Sequence, residues 1–80
     1  MRRLPKIGSL IRLRHYTLTT GVVIIGSCDH SREIEVPTST IALVIGRMNR
    51  GDPTDKNFVP VVMVNEFKGW IFDDEWEPIV

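Results

Sequence analysis

The apolar residues of this chain come in short runs rather than helical stripes, and this constrains the fold more than any other feature. No window of a dozen residues keeps apolar positions at i, i+3, i+4 and i+7, while Val and Ile crowd the apolar stretches. Gly, Pro, Asn and Asp interrupt those stretches at short intervals, which is the pattern of an all-β sandwich or barrel.

The segments follow from that pattern. Ser9 to Arg14 predicts a strand with Leu10, Arg12 and Arg14 on one face and Ile11 and Leu13 on the other. Gly21 to Gly26 is apolar throughout and predicts a strand buried on both faces or one lining a barrel core. Glu33-Ile34-Glu35-Val36 alternates, with Ile34 and Val36 inward and both glutamates outward, and Pro37 ends the strand or places it at an edge. A long strand is expected from Thr40 to Met48, with a bulge at Gly46, followed by a polar loop over Asn49 to Asn57. Phe58 to Val64 predicts the next strand, with Pro60 marking a bulge or an unpaired N–H. Asn65 to Lys68 then predicts a hairpin turn, and Gly69 to Phe72 the return strand. Asp73-Asp74-Glu75 suits one helical turn, since carboxylates favour its N-terminal end, and Trp76 to Val80 closes the barrel.

With 80 residues the chain makes one domain over 1–80, burying about 60% of the surface its unfolded form exposes. One core fits. A substrate cavity with the walls to hold it does not, so an outer binding surface is the cheaper use of such a chain and no enzyme is expected.

Ten basic and ten acidic residues cancel, so no global field draws the chain to nucleic acid or an anionic membrane. The charges are nonetheless segregated. Arg2, Arg3, Lys6, Arg12 and Arg14 precede the first acid, Asp29, whereas Glu66, Asp73, Asp74, Glu75 and Glu77 lie near the end. Pairing of the first and last strands would match the two sets. With Arg47 and Arg50, the early basic residues also define an alternative nucleic-acid face.

No apolar run approaches the ~20 residues that span a bilayer, and the basic start lacks the apolar stretch of a signal peptide. One cysteine, Cys28, excludes an internal disulfide, and a reducing, cytoplasmic setting is expected. Cys28-Asp29-His30 is the one cluster of catalytic or metal-ligand residue types. Its neighbours Ser27, Ser31 and Arg32 make it read as a polar hairpin tip, and no cofactor or metal is expected. The Asp73-Asp74-Glu75 run cannot aim three consecutive carboxylates at one ion. Gly46 to Gly51 carries two arginines but lacks the strand-to-helix setting of a phosphate loop.

Three stretches carry a family resemblance. They are Lys6-Ile7-Gly8-Ser9-Leu10-Ile11-Arg12, then Ile41-Ala42-Leu43-Val44-Ile45, then Val61-Val62-Met63-Val64 and Gly69-Trp70-Ile71-Phe72 leading into Asp74-Glu75-Trp76-Glu77-Pro78-Ile79. In this order they resemble the small SH3-like, KOW-type barrels common in bacteriophage genomes. The resemblance implies a barrel of five to seven short antiparallel strands, found in the host cytoplasm or in a virion. It covers about half the chain and supplies architecture rather than activity. The segment from Gly21 to Pro37 departs from the pattern and reads as an extra hairpin.

The aromatics point to a binding role. If Ile71 faces inward, Trp70 and Phe72 face outward, and the opposite phase buries both. An exposed Trp70 beside Phe67 and Tyr16 would form an apolar patch of the kind that marks partner sites. Phe67, at the expected hairpin tip, is an anchor candidate, its alternative being to pack on its own barrel. The expected function is therefore a non-catalytic protein–protein interaction module. It would engage a host factor or a virion component, or associate with itself. Nucleic-acid binding through the basic set is the alternative.

Overall fold

A computed structural model describes residues 4–14, 21–54 and 56–79. These form seven strands: β1 (Leu10–Leu13), β2 (Val22–Gly26), β3 (Glu33–Pro37), β4 (Ile41–Asn49), β5 (Phe58–Val64), β6 (Phe67–Trp70) and β7 (Trp76–Pro78). All pair antiparallel in one sheet of order β3-β2-β6-β5-β4-β1-β7, which curls around a single core as a half-barrel.

Period-two patterning decides which residues enter that core. Ile11 and Leu13 of β1, Val23 and Ile25 of β2, Ala42 and Val44 of β4, and Val62 and Val64 of β5 are buried, joined by Val36, Ile71 and Trp76. Each fully buried Val, Ile or Leu contributes about 1.5–3 kcal/mol. β2 is buried on one face only, because Ile24 stands 49% exposed between Val23 and Ile25. Of the two expectations for this run, lining the barrel core holds and burial on both faces does not, because among the described residues nothing covers Ile24 on the outside of the sheet.

The first and last strands do pair, Ile11 with Pro78 and Leu13 with Trp76. Arg12 Nη1 donates to Glu77 Oε1 at 3.3 Å, and Arg14 Nη1 lies 3.9 Å from Glu77 Oε2. Both pairs are solvent-accessible, so they fix register more than they add stability. The bulge falls where Gly46 suggested: pairing steps from Val44↔Val62 to Gly46↔Val61, leaving Ile45 as the extra residue.

Two local expectations need correction. The β5–β6 hairpin closes with two residues, Asn65 and Glu66, so Phe67 pairs with Val64 and already belongs to β6. Asn65 meets the turn geometry with a φ of 55°, which asparagine tolerates. The anticipated helical turn is a simple hydrogen-bonded turn, and no helix occurs among the described residues. Glu75 N–H donates to the Phe72 carbonyl at 3.1 Å, while Glu75 Oε1 accepts from Phe72 N–H at 3.0 Å. That reciprocal pair lets the Glu75 side chain sit buried, and the strand resuming at Trp76 leaves no room for a second turn.

Candidate interaction surface

β6 and the residues after it set the aromatic side chains. Gly69 and Ile71 point into the core, so Trp70 and Phe72 fall on the outside of the sheet. Phe72 is 53% exposed and meets the Trp70 ring edge-to-face, with centroids 5.1 Å apart and planes at 89°. Such a pair adds about 0.5–1.5 kcal/mol beyond its buried area. The Arg50 guanidinium, from the loop after β4, lies 3.8 Å from the Trp70 ring centroid.

Gly26 is what allows this packing. It is the residue of β2 that pairs with Trp70, and a Cβ there would stand 2.9 Å from the indole Nε1. The indole lies against the bare backbone instead, leaving Nε1 buried with no hydrogen-bond partner among the described residues. A shallow hollow results, lined by Ile24, Gly26, Glu33, Trp70, Phe72 and Glu75. Ile24 and Phe72 are its exposed apolar walls, and Glu33 is a charge at its rim. Across the sheet, Leu10, Leu43 and Met63 form a cross-strand row on the same outer side, with Leu10 58% exposed.

Phe67 takes a different position from the one expected of a hairpin tip. With a two-residue turn it faces inward, partly buried against the core, with the Arg32 guanidinium 5.5 Å from its ring centroid. It lines a second hollow with Arg32, Ile34, Val64, Asn65 and Glu66. Tyr16, the third aromatic of the expected patch, lies outside the described residues, as do Arg2, Arg3 and His15.

Comparison with protein-family models, curated proteins and solved structures finds no match to this chain. The reading therefore rests on the geometry of its own residues.

The four described arginines of the basic set each have an intramolecular partner. Arg12 and Arg14 are engaged by Glu77, Arg47 Nη2 donates to the Pro5 carbonyl at 3.4 Å, and Arg50 stacks on Trp70. Lys6 is exposed at the start of the described chain.

Cys28, Asp29 and His30 form the exposed tip of the β2–β3 hairpin. The Asp29 carboxylate accepts hydrogen bonds from Ser31 Oγ at 2.6 Å, Ser27 Oγ at 2.8 Å and Ser31 N–H at 3.0 Å. These bonds hold its pKa down to about 2, the Ser31 hydroxyl contributing most. Asp29 thereby orders the turn, in which His30 takes a φ of 61°. Among the described residues no three His, Cys, Asp or Glu side chains are grouped to hold a metal ion.

No sequence signal identified Ile24 or Arg50 as partners of Trp70. The cross-strand register that joins them depends on where β2 meets β6, a contact distant in sequence.

Proposed function

We propose that this chain is an SH3-like barrel acting as a non-catalytic protein–protein interaction module, and that its contact surface is the hollow of Ile24, Trp70 and Phe72. The observation that carries the reading is the convergence of two aromatic rings and an isoleucine on the outside of the sheet, with Phe72 and Ile24 each about half exposed. Aromatic side chains at the centre of a small patch are the usual anchors of a protein interface, and the carboxylate and guanidinium around them supply a polar rim.

The SH3-like assignment draws support from the placement of the resembling stretches. They fall on β1, β4, β5, β6 and β7, which are contiguous in the sheet as β6-β5-β4-β1-β7. The departing segment from Gly21 to Pro37 forms the β2–β3 hairpin, added at the β6 margin. The resemblance to small bacteriophage barrels makes a host factor or a virion protein the expected partner.

The test is capture from a bacterial lysate on immobilised wild-type and Phe72→Ala chains, followed by titration of the purified captured protein. The reading expects a saturable partner whose Kd rises about tenfold or more in Phe72→Ala, equivalent to about 1.4 kcal/mol, and is unchanged in Leu43→Ser. No captured protein, or equal affinity for wild type and Phe72→Ala, rejects it.

A further inference from the structure

We infer that the open edge of β3 receives an extended basic polypeptide segment, which adds to the sheet as an eighth strand. This rests on the reading of the chain as an interaction module; the edge adjoins the aromatic hollow at Glu33, but its binding groups are strand backbone rather than the Trp70 and Phe72 rings.

β3 stands at the margin of the sheet, with β2 on one side and, among the described residues, no strand on the other. Two bonds fix which of its backbone groups face outward. Ser27 N–H donates to the Arg32 carbonyl and Thr38 N–H to the Gly21 carbonyl, each at 2.8 Å. In an antiparallel pair the bonded residues alternate, so Ile34 and Val36 turn their N–H and C=O groups toward β2. Glu33, Glu35 and Pro37 turn theirs away. Pro37 has no N–H, and its carbonyl already accepts from Thr40 N–H at 3.2 Å and Thr40 Oγ1 at 2.6 Å. The edge therefore offers two N–H and two C=O groups, all from Glu33 and Glu35. An added antiparallel strand would satisfy them with four hydrogen bonds, which is strand addition at a sheet edge.

The side chains select the occupant. Glu33 and Glu35 are exposed on the outer face, and among the described residues neither makes an ion pair. The nearby arginines are committed elsewhere, Arg32 to Phe67 and Arg50 to Trp70. Two acidic residues flanking the edge repel the same strand of a second copy, since like charges directly opposite destabilise a pair. They favour Lys or Arg on the incoming strand. The residue between those basic positions lies opposite Ile34 and turns inward, beside the hollow floored by Ile34, Val64 and Phe67. The segment that fits is thus basic–apolar–basic in an extended conformation.

The experiment uses the full chain with an end-capped heptapeptide alternating Lys and Val, and a control peptide in which Glu replaces Lys. Amide hydrogen exchange is followed by NMR. The Lys peptide is expected to slow exchange at Glu33 and Glu35 by about tenfold or more, leaving Ile34 and Val36, already bonded to β2, unchanged. Glu35→Pro removes one edge donor that bonds to nothing in the sheet and is expected to abolish binding. Should that variant unfold, the double variant Glu33→Lys/Glu35→Lys is expected to exchange the Lys peptide for the Glu peptide. The inference is overturned by absence of binding, by binding that leaves the Glu33 and Glu35 amides unprotected, or by a charge-reversed variant that still prefers the Lys peptide. Protection of those two amides in a peptide-free dimer overturns it as well. Phe72→Ala is expected to bind the peptide as the wild type does, so failure at the aromatic hollow and failure at this edge are read separately.

Discussion

Gly69→Ala adds one methyl group at the joint on which both candidate surfaces depend. A Cβ at this position would lie 2.5 Å from the Gly26 carbonyl oxygen, 2.5 Å from Ile25 Cγ2 and 3.0 Å from Phe67 Cε1. The first of these is backbone and cannot swing aside, so β2 and β6 must separate. They are joined by the single pair Gly26↔Trp70. Overpacking of this kind costs about 1–3 kcal/mol, partly offset by about 0.4–1 kcal/mol from the stiffer unfolded chain. A net loss of about 1.3 kcal/mol lowers Tm by roughly 5–10 °C in a domain of this size. The control is Gly46→Ala, where a Cβ meets nothing within 4 Å and the change is expected to fall between neutral and a gain of about 1 kcal/mol. Urea denaturation followed by far-ultraviolet circular dichroism, with Tm from calorimetry, measures both. Equal stability of the two variants would mean that the β2–β3 hairpin does not dock on β6, and the hollow between them would go with it.

Two further outcomes follow from the local chemistry. Asp29 is expected to titrate near 2 in an NMR pH series and to return toward the ordinary carboxylate value in Ser31→Ala, because the Ser31 hydroxyl is the main cause of the shift. As the folded-state value is depressed, the stabilisation is complete above about pH 4 and is lost as pH falls toward 2. An Asp29 midpoint near 4 would contradict the turn geometry. Mixed with short duplex DNA or single-stranded RNA at low salt, the chain is expected to give no shift, since Arg12 and Arg14 pair with Glu77, Arg47 with the Pro5 carbonyl and Arg50 with Trp70. A saturable shift weakened by Arg50→Ala would favour the nucleic-acid alternative.

The strands were legible because their side chains alternate over a half-covered sheet. Glu33 to Val36 is the clearest case, with both glutamates out and Val36 in. The β1–β7 pairing was foreshadowed by the segregation of arginines and glutamates, and Arg12, Arg14 and Glu77 realise it. What period-two patterning leaves open is phase and register. Val22 to Ile25 is apolar at every position, so nothing in its composition marks Ile24 as the outward one. Asn65 to Lys68 supports a four-residue or a two-residue turn equally well, and a shift of that boundary moves Phe67 from tip to core. The site was only partly legible for the same reason. Trp70 stood out as an aromatic of undecided face, whereas Ile24, Glu33 and Arg50 gather around it through pairings distant in sequence.

The phase at Ile71 and Phe72 decides whether the aromatic residues form a surface or a core, and paired denaturation of Ile71→Ala and Phe72→Ala tests it most directly. Ile71 is 0% exposed, so its truncation is expected to cost about 2–5 kcal/mol. Loss of the half-exposed Phe72 ring is expected to cost about 0.5–1.5 kcal/mol, the worth of its contact with Trp70. If Phe72→Ala proves the more damaging of the two, Trp70 and Phe72 belong to the interior and no aromatic binding surface exists.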